Sequence, residues 1–340
     1  MVDLRTTWLG LPLASPIILG ASPLSHDVEV AARAVEAGAG AVVMYSLFEE
    51  QVVNEQMAAH HFIDAHANGD AEASGFLPDV DVFSLGAEPY LRQLQRLRAV
   101  LKVPVIASLN GTTPGGWTEY ARACEARGAD AIELNLYDVV TSMDEGAKRV
   151  EDRQIAVVES VTHAVDIPVT VKIGPFYTSV PAFAKRLEAV GAHGITLFNR
   201  FYQPDIDLDT LGVDRRLQLS APRELPLRLH ALAVLSPHVL ISLACTGGAH
   251  SGHDVAKALL CGADVVQVTS ALLEHGPEHV AVMVRELRAW LEQTGYVSSD
   301  EARGVLAMGT APDAHVWERL NYLRLLDGWR TKHAKRPAHG

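Results

Sequence analysis

The sequence is poor in cysteine. Three occur in 340 residues, Cys124, Cys245 and Cys261, an odd number without a CxxC pair. That excludes a disulfide framework and implies a reducing compartment, the cytoplasm. It also leaves no ligand set for zinc or an iron–sulfur cluster, and no metal site is expected. Positive charge is short as well: 29 Lys plus Arg face 41 Asp plus Glu, a net charge of -12. A surface of that sign repels phosphate backbones and anionic headgroups, so neither nucleic acid nor a membrane is an expected partner. No run of about 18 apolar residues occurs, so no membrane span is expected. The apolar stretch 8–21 is broken by Pro12 and Pro16, and Asp3 offsets Arg5. It reads as a hairpin over residues 1–15 leading into a first strand, not as an export signal.

Several ligand motifs are incomplete. Gly38-Ala39-Gly40 precedes a strand and lacks the third glycine of a dinucleotide fingerprint. Asp205, Asp207 and Asp209 alternate as in a calcium loop, but the Gly and Glu such a loop needs are Thr210 and Arg216. His60, His61 and His66 have no matching acid or Cys set and read as solvated.

What is present is 48% hydrophobic residues, enough for a large core, arranged in a repeated order. Eight short apolar runs rich in Val, Ile and Leu, at 16–20, 41–45, 104–109, 131–136, 169–173, 194–198, 239–244 and 264–268, alternate with helical patterns. Strands buried on both faces of a parallel sheet read this way. Gly-Ala turns at Gly38, Gly128, Gly191 and Gly262 end several of the helices. Eight β/α units with little left over predict a single α/β domain over residues 1–327, a (β/α)₈ TIM barrel. An open doubly wound sheet is the alternative. Two long excursions, 49–86 and 201–222, leave the C-terminal face where barrel enzymes build their sites. Residues 328–340 read as a flexible basic tail.

Cys245-Thr246-Gly247-Gly248-Ala249-His250-Ser251-Gly252 follows the seventh strand and opens a helix, with Ser251 and Asp254 spaced as a capping box. Thr269-Ser270 ends the eighth strand. Loops after strands seven and eight of barrels bind phosphate, which marks Gly247, Gly248, Thr269 and Ser270. Polar residues also interrupt apolar strand ends: Asn110, Asn135, Lys172 and Asn199. A lone buried Asn is usually satisfied locally, but four such groups converging on one mouth suit a ligand. A lysine in an apolar strand needs an anionic partner. A flavin ring fits: amide-like groups along its pyrimidine edge, and a cation where the reduced ring gathers negative charge.

Those residues resemble the dihydroorotate dehydrogenase family, class 1, closest to its dihydroorotate dehydrogenase-like branch. The likeness covers about residues 2–327 and rests on Leu19-Gly20-Ala21-Ser22, Ala107-Ser108-Leu109-Asn110-Gly111, Glu133-Leu134-Asn135-Leu136, Val171-Lys172-Ile173, Phe198-Asn199-Arg200, Thr246-Gly247-Gly248 and Leu260-Cys261-Gly262-Ala263-Asp264. It implies FMN as cofactor, with Ala21, Ser22 and Lys172 along the flavin and Asn135 and Asn199 on flavin or substrate. Gly247, Gly248, Thr269 and Ser270 would hold the phosphate. Three positions depart from the family pattern. The catalytic Cys after the fourth strand is matched by Asp138, the Lys at the end of the second strand by Tyr45, and the substrate-gripping Asn by Ala73.

The resemblance therefore implies an FMN-dependent oxidoreductase acting on a CH–CH bond of a small-molecule substrate, dihydroorotate or another small cyclic amide or acid, in pyrimidine biosynthesis. Asp138 and Lys172 are the expected catalytic residues, and Asn135, Asn199 and Tyr45 are at the substrate. A homodimer with a separate electron-transfer partner is expected. Two alternatives stay open: a phosphate-binding barrel isomerase or lyase without flavin, and a flavin-binding subunit impaired in catalysis.

Overall fold

A computed structural model describes residues 2–48, 82–110, 116–214, 218–313 and 315–333. Expectations placed on Ala73, His60, His61, His66 and Arg216 lie outside the described residues.

The eight apolar runs become eight parallel strands: β3 (Ile17–Leu19), β4 (Val42–Phe48), β5 (Val105–Asn110), β6 (Ala131–Leu136), β7 (Val169–Ile173), β8 (Gly194–Leu197), β11 (Ser242–Thr246) and β12 (Val265–Val268). They close into a barrel in chain order, with β12 returning to β3. Burial on both faces explains why each run lacks polar alternation. The expected Gly-Ala turns take left-handed φ at all four glycines, between 86° and 112°. One strand lies later than its apolar run. Val239 and Leu240 belong to the approach, where Leu240 donates its N–H to Glu188 Oε1 (2.6 Å) and is 98% exposed. The strand proper begins at Ser242, which puts Thr246 at its end and Gly247 directly beyond.

The N-terminal hairpin forms as expected. β1 (Thr6–Trp8) pairs with β2 (Leu11–Leu13) across a two-residue turn with positive φ at Leu9 and Gly10. It seals the N-terminal end of the barrel. Trp8, Leu9 and Leu13 pack with Ile18, Val43, Ile106, Ala131, Ala244 and Val265. A Cβ on Gly194 would lie 2.6 Å from Leu9 Cδ2, so β8 opens on glycine because the hairpin fills that space.

Two expected irregular regions are ordered. Within 201–222, β9 (Asp205–Asp207) and β10 (Gly212–Asp214) form an antiparallel hairpin. Asp207 Oδ1 accepts the N–H groups of Asp209 and Thr210, so the alternating aspartates build a turn. The tail expected to be flexible from 328 is instead helical within Leu320–His333. The excursion expected to reach residue 86 ends earlier, because the helix Val82–Val100 has begun. Among the described residues, no helix is long and apolar enough to cross a membrane, and no cluster of metal-ligating side chains occurs.

Candidate active site

Polarity rises along the barrel axis. Above the apolar plug lie buried Ser108, Glu133, Thr170, Thr196 and Gln267, and above them a cavity of about 430 Å³ opens at the strands' C-terminal ends. Ala21, Ser22, Tyr45, Asn110, Asn135, Lys172, Asn199, Gly247, Gly248, Thr269 and Ser270 all line it. Every expected cofactor and substrate residue is thus brought together.

One end is built for close backbone approach. Gly247 and Gly248 have φ of 87° and 83°, a pair of left-handed residues that only glycine adopts readily. A Cβ on Gly248 would meet Leu225 N at 2.7 Å. Ser220 returns from the second excursion to fasten this end. Its Oγ accepts the Gly248 N–H (3.1 Å) and pairs with Ser270 Oγ (2.8 Å). The capping box forms: Ser251 Oγ accepts the Asp254 N–H (3.2 Å), and Asp254 Oδ2 accepts the Ser251 N–H (3.2 Å). It fixes the start of the helix Gly252–Leu260 four residues past Gly248.

The other end carries the strand-borne polar groups. Lys172 Nζ meets Glu133 Oε1 at 3.5 Å, and Glu133 is fully buried. Glu133 Oε2 also accepts from Gln267 Nε2 (2.5 Å) and Thr196 Oγ1 (3.2 Å). The anion that the lysine requires is therefore part of the barrel. Asn199 Nδ2 donates to Asn135 Oδ1 (2.8 Å), which sets both amides. Tyr45 stacks on His26 with ring centroids 3.6 Å apart and meets Tyr90 edge-on. Burial raises the Tyr45 pKa above its ordinary value. Tyr137 Oη accepts the Tyr202 N–H (3.2 Å), and the Arg200 guanidinium lies 5.7 Å from the Tyr202 ring centre.

Asp138 requires a correction. It does not line this cavity but borders a neighbouring one of about 400 Å³. Its carboxylate is held by Arg153 at 2.5 Å, and Arg153 also binds Glu145. Position in the loop after β6 is shared with the family's Cys, but the ion pair turns this carboxylate away. Tyr137 and Asn199 form the wall between the two cavities.

Sequence reasoning missed Glu133, Gln267, Thr196, Ser220, Arg200 and His26 as site residues. Glu133 carried the same signal as Lys172, a charged residue inside an apolar strand. Ser220 carried none, since only the folded excursion brings it to the mouth.

The chain matches the dihydroorotate dehydrogenase family profile over residues 4–291. It belongs to the dihydroorotate dehydrogenase family. It is similar to the catalytic subunit of dihydroorotate dehydrogenase B (NAD(+)) from Methanothermobacter thermautotrophicus, 27% identical over 309 residues, covering 89% of this chain and 98% of the relative. It is similar to NAD-dependent dihydropyrimidine dehydrogenase subunit PreA from Escherichia coli, 25% identical, covering 91% and 78%. A third relative is the chloroplastic dihydropyrimidine dehydrogenase (NADP(+)) of Arabidopsis thaliana, 26% identical, covering 89% and 76%. As a member of this family the chain is a dehydrogenase.

The residues fit the flavin that this family implies. Three buried polar atoms on the lining lack protein partners: Ser22 Oγ, Gln267 Oε1 and Arg200 Nη1. A lining that carries unsatisfied polar groups suits a polar ligand whose arrival lets them find partners. The double-glycine turn suits a phosphate and the Lys172–Glu133 end suits a ring.

Proposed function

We propose that this chain binds FMN, with its phosphate at Gly247-Gly248 and its ring beside Lys172, and interconverts the CH–CH bond of a dihydropyrimidine such as dihydroorotate with the C=C bond of the corresponding pyrimidine, the flavin taking or giving the two electrons. The observation that carries the reading is the two-ended cavity, with a backbone cradle at one end and strand-borne amides with a lysine at the other. Because Gly248 gives its N–H to Ser220, a phosphate would meet the N–H groups of Gly247 and Ala249, beside Thr269 and Ser270.

When bound, the flavin supplies the hydride acceptor or donor. Lys172, fixed by Glu133, presents positive charge where the ring gains electrons. Asn110, Asn135 and Asn199 offer donors and acceptors to the ring edge and to a cyclic amide. Tyr45 stacked on His26 lays an aromatic face along one side of the cavity. Among the described lining residues His26 carries an imidazole that can accept and pass on a proton, and we assign it the substrate proton in place of Asp138.

A barrel isomerase or lyase using Lys172 as a Schiff-base amine is disfavoured, since that amine is committed to a buried carboxylate. The relatives named as catalytic subunits support a separate electron-transfer partner. Large apolar side chains around β9–β10, Ile206, Leu208, Leu211 and Val213, are exposed and support a homodimer. The cytoplasm suits three unpaired, buried thiols.

The test is anaerobic mixing of FMN-loaded protein with dihydroorotate and with dihydrouracil. Bleaching of the flavin band by either supports the reading. A loaded protein bleached by neither supports the impaired flavin-binding subunit instead.

A further inference from the structure

Arg228 lies in the helix Leu225–Leu235, behind the wall of the cavity, and is 4% exposed. Its guanidinium donates to three carbonyl oxygens: Nε to Thr246 (2.8 Å), Nη1 to Glu224 (2.9 Å) and Nη2 to Phe198 (3.5 Å). These belong to the chain after β8, the start of its own helix and the end of β11. None is a carboxylate. The Glu224 side chain is used elsewhere, accepting the Ala221 N–H (3.1 Å) and pairing with Arg200 Nη2 (3.4 Å). The Cys245 thiol is pushed up to about 12 by burial and stays neutral.

Burial lowers the Arg228 pKa, but a guanidinium remains charged in a protein. A buried cation that no carboxylate bonds directly is stabilised when an anion arrives. The place for that anion is given by Gly247, whose missing Cβ would lie 2.9 Å from Arg228 Nη2. Only the glycine backbone separates the guanidinium from the cradle. Charge is uneven between the two ends. Near the cradle, Glu224 pairs with Arg200 and Asp254 with Lys257, and neither carboxylate bonds Arg228, whereas Lys172 is matched by Glu133.

We propose that Arg228 is a phosphate-positioning residue, supplying from behind the Gly247-Gly248 turn the fixed positive charge that selects a phosphorylated flavin over the unphosphorylated one. Its three carbonyl bonds also keep the turn in shape. The proposal rests on the FMN reading, and its test separates the two.

Flavin-free protein is titrated with FMN and with riboflavin, read by quenching of flavin fluorescence. The unmutated protein should prefer FMN. Arg228→Met should lower FMN affinity about tenfold or more while riboflavin affinity moves less than about threefold, because only the phosphate feels the charge. Arg228→Lys keeps the charge without the fork and should retain most of the preference. Equal losses for both flavins in Arg228→Met would make Arg228 a structural clamp and overturn the proposal. So would loss of the preference in Arg228→Lys as complete as in Arg228→Met, or failure of both variants to fold. If the unmutated protein binds riboflavin but not FMN more tightly, the phosphate role falls while flavin binding stands. If it binds neither, the FMN reading falls with it.

Discussion

Lys172 and Glu133 depend on each other. Removing one member of a buried pair typically costs about 3–5 kcal/mol, because the other charge is left without a partner. Lys172→Met should lose stability on that scale, and Lys172→Met with Glu133→Gln should recover most of it. Denaturant unfolding checks this; additive losses would contradict the coupling. The double variant should still bind flavin of lower midpoint potential, since no cation faces the reduced ring. The proton's route is tested by two substitutions. His26→Asn should slow flavin reduction by about 10²–10⁴-fold. Asp138→Asn should change it by less than about threefold, since Arg153 holds that carboxylate outside the cavity. Stopped-flow reduction measures both, and the reverse ranking would restore Asp138 as the base. Asp138 illustrates what a sequence position leaves open. It fixes the loop a residue belongs to, but not which way the side chain turns, and here an arginine fifteen residues on decides.

Elements were legible where burial leaves a pattern. Each barrel strand is covered on both faces, so its residues are apolar without a break. β11 departed because Val239 is apolar for another reason, packing on the approach to the strand. Arg228 was hidden in the same way: its helix reads Leu-Pro-Leu-Arg-Leu-His-Ala-Leu, and nothing in that string shows that the arginine points inward. The helix Gly252–Leu260 tests the capping argument. Ser251→Ala should cost about 1 kcal/mol in unfolding experiments. For Asp254, burial pushes the pKa up, but Lys257, Ser251 and the His250 N–H outweigh it and hold the carboxyl below its usual range. A lowered folded-state pKa gives stability that is fully present above the unfolded value, about 3.9, and is lost as pH falls below that and through the lowered folded value. The stability gap between unmutated protein and Asp254→Asn should therefore be full at neutral pH and shrink in acid. A gap independent of pH would contradict the assignment.

At the scale of the molecule, a net charge of -12 contrasts with the cations Lys172 and Arg200 on the cavity lining and Arg228 behind it. That distribution disfavours a polyanion on the surface and suits the proposed small anion in the cavity. The exposed apolar hairpin β9–β10 belongs to this scale too. On the homodimer proposal, light scattering should give the unmutated protein the mass of two chains and the Leu208→Asp, Leu211→Asp variant that of one; a single-chain mass for the unmutated protein, or an unchanged mass in the variant, would contradict it. The central claim is that the mouth of this barrel holds FMN, phosphate on the double glycine and ring on Lys172. Mass analysis of the cofactor released by heat from the purified, FMN-reconstituted protein tests it most directly. The account predicts FMN at about one per chain; FAD, or no retained flavin after reconstitution, would contradict it.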